Sequence, residues 1–230
     1  MIMGLSELEL AQMIDISAVK AGSSLSDVET IVSAAKEHHF IAIFPLPSMM
    51  DRAKQLLGDR NDIILGGTVG FPSGSSTTRT KVFEAKELLE IGCTELDMVI
   101  DIGKLRSNLY QEVAADIHAV VDVAGNIPVK VILEVTLLSR QEIMDGSRIV
   151  RDNGARFVKT GTGWSGSTTT DHIQAINEAV GETIKVKVAG GVRNLDFLLK
   201  IHEMGVTRFG LGYHSALAIL KELQDREGNK

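Results

Sequence analysis

Glu95-Leu96-Asp97-Met98-Val99-Ile100 is the stretch on which the fold turns. Six residues are too few for a stable helix, and an almost continuous apolar run of this length fits a strand buried on both faces. Just upstream, Arg79 to Ile91 carries Val82, Ala85, Leu88 and Leu89 on one helical face and stops at Gly92, a residue suited to the left-handed turn that ends a helix. A helix delivering the chain into a doubly buried strand is the repeating unit of a parallel sheet.

Working outward, the same pattern recurs in both directions. Short apolar runs occur at Ala11–Ile14, Phe40–Phe44, Ile63–Val69, Val129–Val135, Arg156–Lys159, Ile184–Val188 and Arg208–Leu211, which makes eight with Glu95–Ile100. Helical patterns fall between them. Ser26 with Glu29 three residues on forms a capping box ahead of Val28, Ile31, Val32 and Ala35. Segments Leu109–Val123, Arg140–Asp152, Asp171–Val180 and Leu195–Met204 follow the same spacing, and Gly125, Gly154, Gly181 and Gly205 come after them. A last helix is expected from Ser215 to Gln224. Eight strand-and-helix units predict an α/β fold, a closed (β/α)8 barrel, with residues 1–230 as a single domain.

Composition narrows the function classes. The 230 residues carry a net charge of −6 with scattered basic residues, which offers no footprint for nucleic acid. Cys93 is the sole cysteine, so an intrachain disulfide and a cysteine-rich zinc site are excluded. Met1 to Leu10 lacks a basic segment followed by an apolar core, and no apolar run approaches the ~20 residues of a membrane span. A cytoplasmic protein with no membrane contact is expected.

In a barrel, reacting groups sit at strand C-terminal ends and in the loops beyond. Charged residues in buried strands therefore mark candidates: Asp15, Asp97, Lys130, Glu134, Lys159 and Lys187. A buried charge must pair or neutralise, and desolvation with a neighbouring cation lowers a lysine pKa. Two readings follow. The residues are interior salt bridges without chemistry, or they hold a partly neutral amine that attacks a carbonyl, with a carboxylate to move protons. Asp97, Lys159 and Lys187 occurring together on three strands favours the second. Loops after the sixth to eighth strands are rich in glycine: Thr160-Gly161-Thr162-Gly163-Trp164, Gly190-Gly191, and Gly210 with Gly212. Their backbone N–H groups suit a phosphate.

Val69-Gly70-Phe71-Pro72-Ser73-Gly74, Glu84-Ala85-Lys86, Glu95 to Ile100, Lys130-Val131-Ile132-Leu133-Glu134, Phe157 to Gly163 and Ala189-Gly190-Gly191-Val192-Arg193 together resemble the deoxyribose-phosphate aldolase family, in that family's order. The resemblance implies reversible cleavage of 2-deoxy-D-ribose 5-phosphate to acetaldehyde and D-glyceraldehyde 3-phosphate, with no metal or other cofactor. It implies Lys159 as the Schiff-base lysine, Lys187 as the second lysine that lowers its pKa, and Asp97 as the proton-relay carboxylate. Ser17, Thr160, Thr162, Gly163, Gly190, Gly191 and Gly212 are the expected substrate-binding residues. A homo-oligomer, dimer or tetramer, is also expected.

The chain departs from the family pattern at several places. Gly161 replaces a usual serine or threonine, Val135 a threonine and Ala42 a common cysteine. Leu211-Gly212-Tyr213 stands where a hydroxyl pair meets the phosphate, and the C-terminal tyrosine of some members is missing. The catalytic trio is intact, so the same mechanism on another sugar, or a barrel that binds a phosphorylated metabolite without turnover, are the competing readings. Gly161-x-Gly163-x-x-Gly166 matches a dinucleotide fingerprint but lacks an acid at the end of the next strand. His38-His39 falls at a predicted helix end, and the other histidines have no metal-ligand spacing. Trp164 is open to two readings: it shapes the substrate mouth or caps the barrel.

Overall fold

The computed structural model describes residues 5–228. In chain order the elements are α1 (Glu7–Ala11), β1 (Ile14–Ala18), α2 (Leu25–His38), β2 (Ala42–Pro45), α3 (Met50–Leu57), β3 (Ile64–Val69), α4 (Thr78–Ile91), β4 (Glu95–Val99), α5 (Ile102–Arg106) and α6 (Tyr110–Ala124). There follow β5 (Val129–Ile132), α7 (Arg140–Asp152), β6 (Phe157–Lys159), α8 (Thr170–Val180), β7 (Lys185–Ala189), α9 (Leu195–Glu203), β8 (Val206–Gly212) and α10 (Tyr213–Gly228). All eight strands run parallel in sequence order, and β8 closes on β1. The chain is a (β/α)8 barrel.

Several bounds differ from the sequence reading, each for a local reason. The first strand starts where the run Ala11–Ile14 was expected to end. Ser6 and Glu9 form a reciprocal capping box that makes Glu7–Ala11 a helix. Ser24 with Asp27, rather than Ser26 with Glu29, caps α2: the Ser24 N–H donates to Asp27 at 2.6 Å. An aspartate is long enough to close the box, so the helix begins two residues sooner. The fifth run is cut short because Glu134 adopts a left-handed conformation (φ 58°) and starts a 3-10 turn at Val135–Leu137. The short helices α3 and α5 carry too few turns to show a periodic face in the sequence. Arg140–Asp152 has the expected bounds, fixed by the Ser139–Glu142 capping box.

Strand alternation sorts side chains between two regions. Outward residues such as Leu96, Val131, Val158, Val186 and Phe209 join the apolar layer beneath the helices. The charged strand residues point inward. Register sets them side by side: Asp97 opposite Lys130, Lys159 opposite Lys187, and Lys187 opposite Arg208. A one-residue slip in any strand would bury these charges against the helices, so the apolar layer fixes the register of the site. Gly66 on β3 leaves room for the Phe44 ring, which a Cβ there would meet at 2.2 Å. That ring forms the apolar wall of the interior.

Candidate active site

Among the described residues, seven ionisable side chains meet in the barrel interior and all are buried: Asp15, Glu95, Asp97, Lys130, Lys159, Lys187 and Arg208. Their pairing is a ladder. Lys130 touches Glu95 and, at 3.1 Å, Asp97. Lys187 lies 2.6 Å from both Asp15 and Asp97. Arg208 lies 2.9 Å from Asp15 and 2.6 Å from Glu95. The contacts of Asp15 are close but poorly aligned as hydrogen bonds, so charge rather than direction holds them. Each of these three cations has two carboxylates.

Lys159 has one. Its Nζ reaches only Asp97, at 2.7 Å, and on the Oδ2 that Lys187 already occupies. Four cations face three carboxylates, so one positive charge in the interior is uncompensated. The least costly relief is to deprotonate the lysine with the weakest pairing. Accordingly the Lys159 pKa is lowered from 10.5 to about 8, by burial first, with Lys187 and Lys130 adding to the fall and Asp97 opposing it. Lys187 is displaced the other way. Burial pushes its pKa down, but Asp15 and Asp97 outweigh that and hold it raised. Asp97 is kept well below the ordinary carboxylate range, because Lys130, Lys159 and Lys187 together overcome its burial. Phe44 lies under the cluster, 4.3 Å from Lys187 Nζ to the ring centroid and 6.0 Å from Lys159.

Lys159 opens into a cavity of about 690 Å³ at the C-terminal end of the barrel. Asp15, Lys187 and Ser17 share its floor. Gly163, Gly190, Gly191 and Gly212 form one side of its mouth, with Arg193 and the first turn of α10. Gly190 and Gly191 adopt φ of 87° and 91°, where L side chains are strained. A Cβ at Gly191 would also strike Ser167 at 2.6 Å. The Ser17 hydroxyl donates to the Leu211 carbonyl at 3.3 Å, which ties β1 to β8.

Not every expected residue faces the cavity in the same way. Thr160 does not line it. One residue beyond Lys159, its side chain lies away from the interior, accepts from the Ala189 N–H at 3.1 Å and from the Thr168 hydroxyl at 2.8 Å, and so joins β6 to β7. Thr162 lines the cavity, but its hydroxyl donates to buried Glu134 and accepts the Trp164 N–H at 3.0 Å. Glu134 thus holds the loop after β6. Trp164 stands at the mouth, its indole N–H donating to Val19 at 3.0 Å and its ring edge-to-face with Phe71. Sequence reasoning did not single out Arg208, Arg193 or Ser215. Arg208 sits at the start of an apolar run, where a charged residue reads as the strand's exposed edge.

Fold and site together define a class, the barrel aldolases, which are carbon–carbon lyases. The DeoC/LacD family aldolase profile matches residues 9–220, and the chain belongs to that family. It is 40% identical over 227 residues to the deoxyribose-phosphate aldolase of Rhizobium meliloti (strain 1021), covering 98% of this chain and 92% of the relative. With the deoxyribose-phosphate aldolase of Staphylococcus carnosus (strain TM300) it shares 38% identity over 204 residues, 88% of this chain and 92% of the relative. The deoxyribose phosphate aldolase of Aeropyrum pernix, a tetramer, superposes with a TM-score of 0.83 at 26% identity over 96% of this chain and 93% of its own. No helix among the described residues is long and apolar enough to cross a membrane.

Proposed function

We propose that this chain cleaves 2-deoxy-D-ribose 5-phosphate reversibly to acetaldehyde and D-glyceraldehyde 3-phosphate through a Schiff base on Lys159. The observation that carries the reading is the pairing asymmetry: Lys159 alone of four interior cations has a single carboxylate, and its pKa is about 8. At pH 7 roughly a tenth of such a lysine is neutral amine, against roughly 0.04% of an ordinary one. The amine donates an N–H to Asp97 at 2.7 Å and lies at the cavity lining. Asp97 Oδ2 also receives Lys187, so one carboxylate oxygen bridges the reacting amine and a cation that stays charged. Protons released and required in imine formation and carbon–carbon cleavage pass along that bridge.

The phosphate belongs at the glycine side of the mouth. Backbone N–H groups of Gly163, Gly190, Gly191 and Gly212 act there whatever the side chains, and the start of α10 adds its helix dipole. Arg193 supplies a guanidinium and Ser215 a hydroxyl, which stand in for the hydroxyl pair lost at Leu211 and Gly212. The test is reduction by borohydride in the presence of acetaldehyde, read by mass spectrometry. One two-carbon unit is expected on Lys159. Near wild-type turnover by Lys159→Ala would remove the mechanism.

A further inference from the structure

Among the described residues that line the cavity, one neutral side chain, Thr68, holds a buried hydroxyl with no partner. Thr68 is on β3, in register with Asp97 on β4. Its neighbour Gly67 faces the helix side, where a Cβ would meet Leu88, so the alternating strand turns Thr68 inward. Thr68 is 2% exposed and lines the cavity that Lys159 opens into. Among the described residues its Oγ1 has no hydrogen-bond partner. The surrounding donors and acceptors are engaged elsewhere: Lys130, Lys159 and Lys187 converge on Asp97. A buried hydroxyl left without a partner costs about 1–3 kcal/mol, so a site that keeps one has a use for it.

β3 stands across the barrel from β6 and β7, which carry Lys159 and Lys187, and from the glycine loops after β6 to β8. A substrate held by its phosphate at those loops and joined to Lys159 therefore presents its reacting carbon between Lys159 and the β2–β3 wall. The oxygen on that carbon then lies on the side of the cavity that Thr68 lines. We propose that the Thr68 hydroxyl is a hydrogen-bond donor to the carbonyl oxygen attacked by Lys159, stabilising it as it becomes the carbinolamine hydroxyl. The proposal rests on Lys159 being the Schiff-base lysine.

The step balances without a proton from threonine. The amine nitrogen forms a bond to the carbonyl carbon, and the C=O electron pair moves to oxygen. That oxygen leaves as water with the two protons the nitrogen gives up. The imine nitrogen then takes one proton from solvent. Thr68 holds the oxygen while it carries negative charge, which is the point at which a fixed donor in a dry site has most effect.

The experiment compares Thr68→Val and Thr68→Ser with the wild type. Acetaldehyde is the probe because it has one oxygen only, so a defect in its borohydride trapping reports on that atom. Loss of one preorganised donor to a developing oxyanion lowers the rate by about 10²-fold. Thr68→Val is therefore expected to trap acetaldehyde on Lys159 about 10²-fold more slowly, and Thr68→Ser within about 5-fold of wild type. Valine matches threonine in shape and removes an unpartnered buried hydroxyl, so Thr68→Val should melt at or above the wild-type temperature. Slow trapping with undiminished stability supports the assignment. Normal trapping with slow cleavage of the phosphosugar would move Thr68 to another substrate oxygen and overturn it. Normal rates in both assays would leave Thr68 without a role in the reaction. A wild type that traps nothing would overturn the Schiff-base reading itself, and Thr68 with it.

Discussion

At the scale of single residues, the reactivity proposed for Lys159 rests on a shortage of partners. A lysine with two carboxylates, as Lys187 has, holds its proton; a lysine that shares a single carboxylate oxygen gives it up more readily. With a pKa of about 8, the reactive form accumulates as pH rises, so kcat/KM should climb through neutrality and level off above about pH 8. Removing the neighbouring cation by Lys187→Leu lets Asp97 act on Lys159 alone and raises its pKa. The pH–rate profile of that variant should move to higher pH, with a loss at pH 7. An unmoved inflection would make Lys187 structural only. The same shift has a stability cost. The folded pKa lies below the unfolded 10.5, so the unfolded chain binds more protons between about pH 8 and 10.5 and stability rises across that window. Below pH 8 the cost is fully present, on the order of 3 kcal/mol. Lys159→Met should therefore abolish turnover yet raise Tm at pH 7 by several degrees, roughly 2–4 °C per kcal/mol recovered. Calorimetry at pH 7 and pH 10 checks the sign, because the gain should shrink at the higher pH.

At the scale of elements, the proposed phosphate site turns on β8 and the start of α10. The sequence suggests restoring a hydroxyl pair at Leu211 and Gly212, but alternation separates these two positions. Arg208, Gly210 and Gly212 face inward, whereas Leu211 is buried in the apolar layer. Leu211→Ser would add no donor to the mouth and would remove a core side chain, at about 2–5 kcal/mol. Gly212 is different: a Cβ there meets nothing within 4 Å, and its φ is not in the left-handed region. Gly212→Ser should fold normally and place a hydroxyl beside the glycine loops. One hydrogen bond to a charged group is worth about 1.5–3 kcal/mol, so KM for 2-deoxyribose 5-phosphate should fall about 10-fold or more. Cleavage of 2-deoxyribose should be little affected. Equal effects on both sugars would place the phosphate elsewhere.

At the scale of the whole molecule, the ion ladder is a cross-brace. Arg208 on β8 reaches Asp15 on β1 and Glu95 on β4, across the diameter of the barrel. Burying such charges gains little net energy, but breaking one set strands its partners. Arg208→Met should cost about 3–5 kcal/mol of stability, measurable by urea unfolding, because it leaves Asp15 and Glu95 with one cation each. It would also leave three cations to three carboxylates, so relief of charge no longer favours a neutral Lys159, and the inflection of the pH–rate profile should rise. A variant with unchanged stability would show that the barrel closes without this brace.

The repeat of buried runs and helices in the sequence determined the barrel, because a strand covered on both faces has one composition and the eightfold count has one closed solution. Asp97, Lys159 and Lys187 were legible for the same reason: a charge inside an apolar run contradicts its surroundings. Strand limits at Ala11–Ile14 and the cap of α2 were not, since the Ser6–Glu9 box claims Ala11 for a helix, and Ser24 and Ser26 each have an acid three residues on, so both satisfy the same local rule. The remainder depended on tertiary structure. Thr160 and Thr162 look like substrate hydroxyls in the sequence, and only three dimensions show them turned to Ala189 and Glu134. Arg208 and Thr68 carry no mark in the chain, because the charge balance that frees Lys159 and the unfilled hydroxyl that faces it exist only once eight strands bring distant residues together.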